Sequence, residues 1–179
     1  MRGRRSARLN AAVLVIGVAV GIAVALTRGG SAPAAAYSTS PSAWTLPRLA
    51  GGGHAALADF RGRPLVVDFF ASWCTACRQE LPELLGVSRS TGGQVTFVGV
   101  DSEENGNGLA LAQETGITTW PLVRDVGGSQ QSGLRDALES IPGMPITAFY
   151  DSHGHLLTVR LGALSADALR AQLHQLYGI

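Results

Sequence analysis

Six stretches between residues 44 and 161 are rich in apolar side chains, many of them β-branched or aromatic, and predict β-strands. The run at 65–71 is almost continuously apolar, which is typical of a strand buried on both faces of a parallel sheet. Asp-Ser-His-Gly at 151–154 predicts the loop of a hairpin between the last two runs. The predicted strands are 44–49, 65–71, 95–100, 121–124, 146–150 and 156–161.

Helical spacing of apolar residues fills the intervals between these strands. It predicts a helix after residue 74 with Pro82 as a kink, a helix over 109–115 that ends at Gly116, and a helical piece over 134–140. A last helix begins near Ser165, which is a suitable N-cap. The residues that this last helix should bury are Leu169, Leu173 and Leu176.

This order of elements predicts an α/β fold, in which helices flank a mixed central sheet. The folded domain is expected to span 44–179. Residues 31–43, rich in Ser, Ala and Pro, predict a flexible linker, and 1–30 predict a signal or transmembrane segment.

The N-terminal segment is Arg-rich and then apolar from Leu9 to Leu26, with Asn10 as its one polar residue. As a helix these residues would rise roughly 27 Å, close to the roughly 30 Å hydrocarbon core of a bilayer. We therefore expect an uncleaved anchor, in preference to a signal cleaved near Ala36. Basic residues before the span place the domain on the extracytoplasmic side.

Charge argues against nucleic acid as a partner. Lys is absent, and five of the 14 Arg precede residue 30, which leaves nine Arg against 13 acidic residues and a net charge of about −4 for the remainder.

Cys74 and Cys77, the only cysteines, fall where a predicted strand ends and a helix begins. Unpaired N–H groups and the helix dipole favour the thiolate there, so Cys74 is the expected nucleophile and Cys77 the resolving thiol of a dithiol/disulfide cycle.

Two other roles for the cysteine pair remain open at this point. A zinc site would need more ligands, and none of the four His stands at zinc-finger spacing from the pair. A structural disulfide across so short a loop would remove little chain entropy. We expect no metal and no cofactor other than the redox-active disulfide. His153 and His155 are expected to lie in a solvated turn.

Two segments carry a specific resemblance. "VVDFFASWCTAC" is similar to the active-site signature of thioredoxins, and together with "GMPITAFYDSHG" it resembles the membrane-anchored TlpA/ResA/DsbE branch of the thioredoxin superfamily. The resemblance implies a thioredoxin-like fold and a cis peptide bond at Pro145. It also implies that the substrate is contacted by Trp73, Thr75, Ala76, Met144 and Pro145.

The resemblance also assigns a role to Asp68. In an apolar strand its pKa should be raised, so that it exchanges a proton with Cys77 during resolution. The alternative is an Asp that faces solvent at a strand edge. Asp101, Glu103 and Glu104, in "VDSEEN", match an acidic position of some anchored relatives, although we expect a solvated acidic loop.

The sequence differs from the family between the cysteines, where Thr75-Ala76 replaces the Gly-Pro of thioredoxins. The direction of electron flow is therefore open. The expected activity is reduction of protein disulfides outside the cytoplasm, as in cytochrome c maturation, with electrons exchanged with a membrane protein. The alternatives are a disulfide donor for secreted proteins, a peroxiredoxin and a non-catalytic thioredoxin-fold binding or chaperone module.

Overall fold

The computed structural model describes residues 37–125, 133–139 and 143–179. The predicted signal or anchor at 1–30 and residues 31–36 of the predicted linker lie outside these residues. Seven strands and four α-helices are described, with one-turn 3-10 helices at Leu57–Phe60 and Ile117–Thr119. In chain order they are β1 (Thr45–Pro47), β2 (His54–Ala56), β3 (Leu65–Phe70), α1 (Thr75–Ser90), β4 (Thr96–Ser102), α2 (Gly108–Thr115), β5 (Leu122–Asp125), α3 (Leu134–Leu138), β6 (Ile146–Tyr150), β7 (Leu156–Leu161) and α4 (Ala166–Tyr177).

A five-stranded mixed sheet in the order β5-β4-β3-β6-β7 forms the centre of the domain. β3, β4 and β5 run parallel, whereas β6 is antiparallel to both β3 and β7. Every residue of β3 is buried, as its continuous apolar run predicts. The predicted α/β class with a mixed sheet is confirmed.

Apolar residues cover both faces of this sheet. On one face Phe70 and Phe149 pack with Leu81 and Leu84 of α1 and with Leu169 of α4. The cluster on the other face lies under the β1–β2 hairpin and α3, and its largest members are Trp44, Phe69 and Tyr150. Full burial of one such side chain contributes about 1.5–3 kcal/mol, so the two clusters hold β3 in place from both sides.

The β1–β2 hairpin is more extensive than the sequence predicts. Its turn contains Gly51, Gly52 and Gly53, all with positive φ, a conformation that side chains other than glycine rarely adopt. β2 was not predicted, because His-Ala-Ala has little strand propensity. Before Trp44, the amide and carbonyl of Ser38 pair with those of Thr45, so the folded part begins earlier than residue 44.

The helices begin and end close to the predicted residues. The side chain of Asn107 caps α2, and Gly116 ends it with φ 80°. Ser165 caps α4 through the amide of Ala168, as predicted, although Leu176 is only half-buried. α1 continues through Pro82. No helix within the described ranges is long and apolar enough to cross a membrane, and the predicted span at 9–26 lies outside them.

Candidate functional site

Cys74 and Cys77 lie at the junction of β3 and α1, where the sequence placed them. They form a disulfide, with their Cα atoms 5.3 Å apart. Cys74 is the N-cap of α1, and its Sγ accepts the amide proton of Cys77 at 3.0 Å. Cys74 retains 4% exposure and Cys77 none, so of the two residues only Cys74 keeps contact with solvent. A thiolate at Cys74 would face the positive end of the α1 dipole.

Pro145 precedes β6, and the Met144–Pro145 bond is cis, as the resemblance implied. The carbonyl of Pro145 accepts the amide of Gly162, which ties the segment to the end of β7. Half-buried Met144 packs against both apolar clusters, one of which contains Cys74 and Cys77.

The side chain of Trp73 is exposed by 46%. Its Nε1 donates to the carbonyl of Glu103 at 2.8 Å. The neighbouring Ser72 donates its amide and its hydroxyl to the two carboxylate oxygens of Glu104. The loop after β4 therefore fixes the two residues that precede Cys74.

This loop corrects the expectation of a solvated acidic segment. Asp101 is only 2% exposed, and burial together with the hydrogen bond and charge of Glu104 raises its pKa to about 8. Burial opposes ionisation of Glu104, but hydrogen bonds from Ser72, Asp101 and Gly106 hold its pKa below the usual range. Burial therefore favours the protonated form of Asp101, whereas the hydrogen bonds to Glu104 favour its charged form.

Asp68 lies fully buried in β3, which excludes the solvent-facing alternative. The hydroxyl of Thr147 on β6 donates to its Oδ2 at 3.0 Å, and no group in the described part of the chain donates to Oδ1. Burial, reinforced by the charge of Glu80, raises its pKa well above the usual range, whereas the Thr147 hydrogen bond opposes the shift.

Glu80 is a buried acid that the sequence reasoning missed. It lies one turn after Cys77 on α1 and is 3% exposed. Its Oε1 accepts the amide of Leu164 at 2.7 Å. Burial raises its pKa to about 7, opposed by the Leu164 hydrogen bond and supported by the charge of Glu83. The sequence signal was present, because Glu80 stands three residues after Cys77 and four before Leu84, on the buried face of the helix.

A cavity of about 260 Å³ opens beside this acid, between α1 and the segment that connects β7 to α4. Ala76 and Glu80 line it, together with Leu164. Thr75, in the first turn of α1, is exposed. Ala76 thus lies at the edge of a cavity through which solvent can reach the carboxyl group of Glu80.

Metal ligands are not assembled at this site. The described residues contain no group of three or more His, Cys, Asp or Glu side chains that could hold an ion. The ring of exposed His155 bonds Asp151 at 2.9 Å, and the amides of His153 and His155 bond the same carboxylate. Both His therefore stabilise the hairpin turn.

The chain is similar in sequence to known thiol–disulfide oxidoreductases. The thioredoxin family matches residues 54–139. The thiol-disulfide oxidoreductase ResA of Oceanobacillus iheyensis is 27% identical over 123 residues, which span 67% of this chain and 60% of that protein. The thiol:disulfide interchange protein DsbE of Pseudomonas fluorescens is 27% identical over 75% of this chain and 72% of that protein.

One solved structure was determined in mixed oxidised and reduced forms, that of DsbF from Mycobacterium tuberculosis. It superposes with a TM-score of 0.65 at 25% identity, covering 78% of this chain and 98% of that one.

Proposed function

Because the chain belongs to the thioredoxin superfamily, among the thiol–disulfide oxidoreductases of ResA and DsbE type, we propose that it reduces protein disulfides outside the cytoplasm. The observation that carries the proposal is the unequal placement of the two sulfurs. Cys74 caps α1 and keeps partial exposure, whereas Cys77 is buried one turn later. That placement suits one sulfur to attack and the other to resolve.

In the first step the Cys74 thiolate attacks one sulfur of a substrate disulfide. A bond forms between that sulfur and Cys74, and the other substrate sulfur leaves as a thiolate, which takes a proton from solvent. Trp73, Thr75 and Ala76 on one side, and Met144 with Pro145 on the other, contact the substrate chain. The backbone of Met144 pairs with it as an added strand.

In the second step Cys77 loses its proton and attacks the Sγ of Cys74. The mixed disulfide breaks, the Cys74–Cys77 bond forms, and the second substrate sulfur leaves reduced. Two electrons have then passed from the enzyme to the substrate. Asp68, as the carboxylate, takes the proton from Cys77, because a carboxyl group with a raised pKa is a stronger base when ionised. The cavity beside Glu80 gives that proton a path to solvent.

An extracytoplasmic reductase needs a supply of electrons, because its compartment is oxidising. We propose that a membrane protein reduces the Cys74–Cys77 disulfide and that the N-terminal segment tethers the domain to the same membrane. Apocytochrome c, with its haem-site cysteines, is the substrate class we favour.

The opposite direction, donation of the disulfide to secreted proteins, uses the same residues. The reduction potential decides between them: a value near about −270 mV supports the reductase, and one near about −120 mV supports the donor.

Trapping tests the proposal directly. The full-length Cys77→Ala variant cannot resolve the mixed disulfide, so we expect it to hold substrate proteins covalently on Cys74, released by dithiothreitol and identified by mass spectrometry. Cys74→Ala is the matched control and should trap none. Equal recovery from both variants, together with reduction of insulin no faster by the wild type than by Cys74→Ala, would instead indicate a non-catalytic binding module.

A further inference from the structure

We propose that Arg135 is a positioning residue that fixes the distance between the two sides of the substrate groove, the Trp73 side and the Met144–Pro145 side. This inference rests on the proposed function and adds a residue outside the cysteine, proline and carboxyl positions already assigned. Its side chain is 3% exposed, which is uncommon for Arg, a residue that is almost never fully buried unless it is paired.

The backbone of Arg135 is anchored at the end of the sheet. Asp125, the last residue of β5, accepts the amides of Leu134 and Arg135 at 2.9 and 2.8 Å. The hydroxyl of Ser102, at the end of β4, donates to the same carboxylate at 3.1 Å. The start of α3 is therefore bound to two strand ends, and the guanidinium extends from a fixed base.

On one side, the guanidinium group of Arg135 contacts the segment that carries the cis-proline. Nη2 donates to the carbonyl of Gly143 at 2.8 Å, and Gly143 directly precedes Met144 and Pro145. Nη1 donates to Asp136 at 3.0 Å, which supplies charge balance. A hydrogen bond with a charged donor is stronger than one between neutral groups, so this contact holds the segment in one position.

On the other side, Arg135 contacts the loop residue that binds Trp73. Nε of Arg135 lies 3.3 Å from Oε1 of Glu103 in an ion pair. The carbonyl of the same Glu103 accepts Nε1 of Trp73. Glu103 has φ 53°, the only positive φ at a non-glycine residue in the described ranges, so its ordinary backbone preference does not fix this conformation. The ion pair and the indole together hold it.

A single planar group thus joins Trp73, through Glu103, to Met144, through Gly143. Guanidinium suits this role because its donors diverge in a rigid plane, whereas an ammonium is a point charge that cannot reach both partners in a fixed geometry. An extended substrate chain that touches both sides depends on their spacing. A small disulfide that meets only Cys74 does not.

The test compares a protein disulfide with a small one. Arg135→Gln should raise the KM for insulin about 10-fold with kcat changed by less than about 2-fold, because substrate contact is lost while the cysteine chemistry remains. The rate with the small disulfide DTNB should stay within about 2-fold of wild type. Arg135→Lys should resemble Arg135→Gln, since charge alone does not restore the two-sided contact. Arg170→Gln, which removes an exposed Arg paired with Asp167 on α4, is the control and should match wild type.

Glu103→Gln provides a second variant in case Arg135→Gln does not fold. It removes the ion pair at a side chain with 22% exposure and leaves the carbonyl for Trp73, so the KM for insulin should still rise several-fold. Unchanged KM for insulin in the folded variants overturns the inference while leaving the proposed function intact. A wild-type protein that reduces neither insulin nor DTNB overturns both.

Discussion

Two carboxyl groups are buried in this part of the domain, Asp68 in β3 and Glu80 one turn after Cys77 on α1. Burial favours the protonated form of each, and a charge on Glu80 further raises the pKa of Asp68. Ionisation of one of these two carboxyl groups therefore costs less free energy than ionisation of both. Because burial raises the pKa of Glu80 to about 7, this carboxyl group can take up or release a proton near neutral pH.

Glu80→Gln should change the pH dependence of stability. Below the usual Glu pKa of 4.5, residue 80 is protonated in both the folded and the unfolded chain. Between pH 4.5 and about 7 it ionises only in the unfolded chain, and this lowers the free energy of unfolding of the wild type. Glu80→Gln does not titrate at this position, so its free energy of unfolding relative to that of the wild type should increase by up to about 3 kcal/mol from pH 4 to pH 8. Urea denaturation of the oxidised protein at several pH values measures the difference.

The control for that series is Gln113→Ala, a substitution at an exposed side chain of α2 that does not titrate and should change stability by the same amount at every pH. A stability difference between Glu80→Gln and wild type that stays constant over the whole pH range would contradict a raised pKa at Glu80.

Asp68→Asn should slow the second half of the reaction. The amide keeps the shape and can still accept the hydroxyl of Thr147, but it cannot take a proton from Cys77. We expect release of substrate from the mixed disulfide to slow about 10²-fold, the usual contribution of a general base, with formation of the mixed disulfide unchanged. Stopped-flow single turnovers measure both steps.

Thr147→Ser, which retains the hydroxyl donor, serves as the comparison for Asp68→Asn. Release rates that are equal in wild type and Asp68→Asn between about pH 6 and pH 9 would remove Asp68 from the proton path.

At the residue scale, positions whose signal is local were predictable. Cys74 and Cys77 follow from their place between strand and helix, whereas Asp68 was identified through the family resemblance, with its burial indicated by its apolar neighbours in the strand. The helical spacing of Glu80 from Cys77 and Leu84 indicates burial, but it was not used in the prediction. Arg135 could not be found from sequence, because its partners at 103 and 143 are brought to it only by the ends of β4 and β6.

At the scale of elements, the contact between β4 and its neighbours sets a limit on side-chain size. A Cβ at Gly99 would lie 2.8 Å from Leu122 Cδ2 and 3.1 Å from Phe70 Cε1. Gly99→Val should therefore destabilise the domain by about 1–3 kcal/mol through overpacking, measured by denaturant unfolding.

Gly86, on the exposed side of α1, gives the opposite case. A Cβ there meets no atom within 4 Å, so Gly86→Ala should stabilise the helix by about 0.5–1 kcal/mol. Destabilisation by Gly86→Ala would contradict the open space at this position of α1, and a neutral Gly99→Val would contradict the close packing around β4.

Periodicity predicted the central elements well and the peripheral ones poorly. β6 and β7 match their predicted bounds, because each is a run of strand-forming residues on either side of a clear turn. β2 and the pairing of Ser38 with Thr45 were missed, since small residues acquire strand geometry there only by pairing with β1. α3 is five residues long, too short for a helical period to define its end.

At the scale of the whole molecule, the mixed sheet was predictable in class, but its strand order was not. Periodicity indicates strands and their burial, whereas the order β5-β4-β3-β6-β7 depends on pairings between distant residues. The family resemblance supplied what the pattern alone could not, including the cis bond at Pro145.

The pairing of β3 with β6 has a consequence for how the protein is made. Asp68 is opposite Thr147 across these strands, so the central strand lacks one neighbour until nearly the whole chain has been synthesised. Both cysteines emerge from the ribosome long before Pro145 does. During that interval both cysteines are present without Met144 and Pro145, which complete one side of the groove beside them.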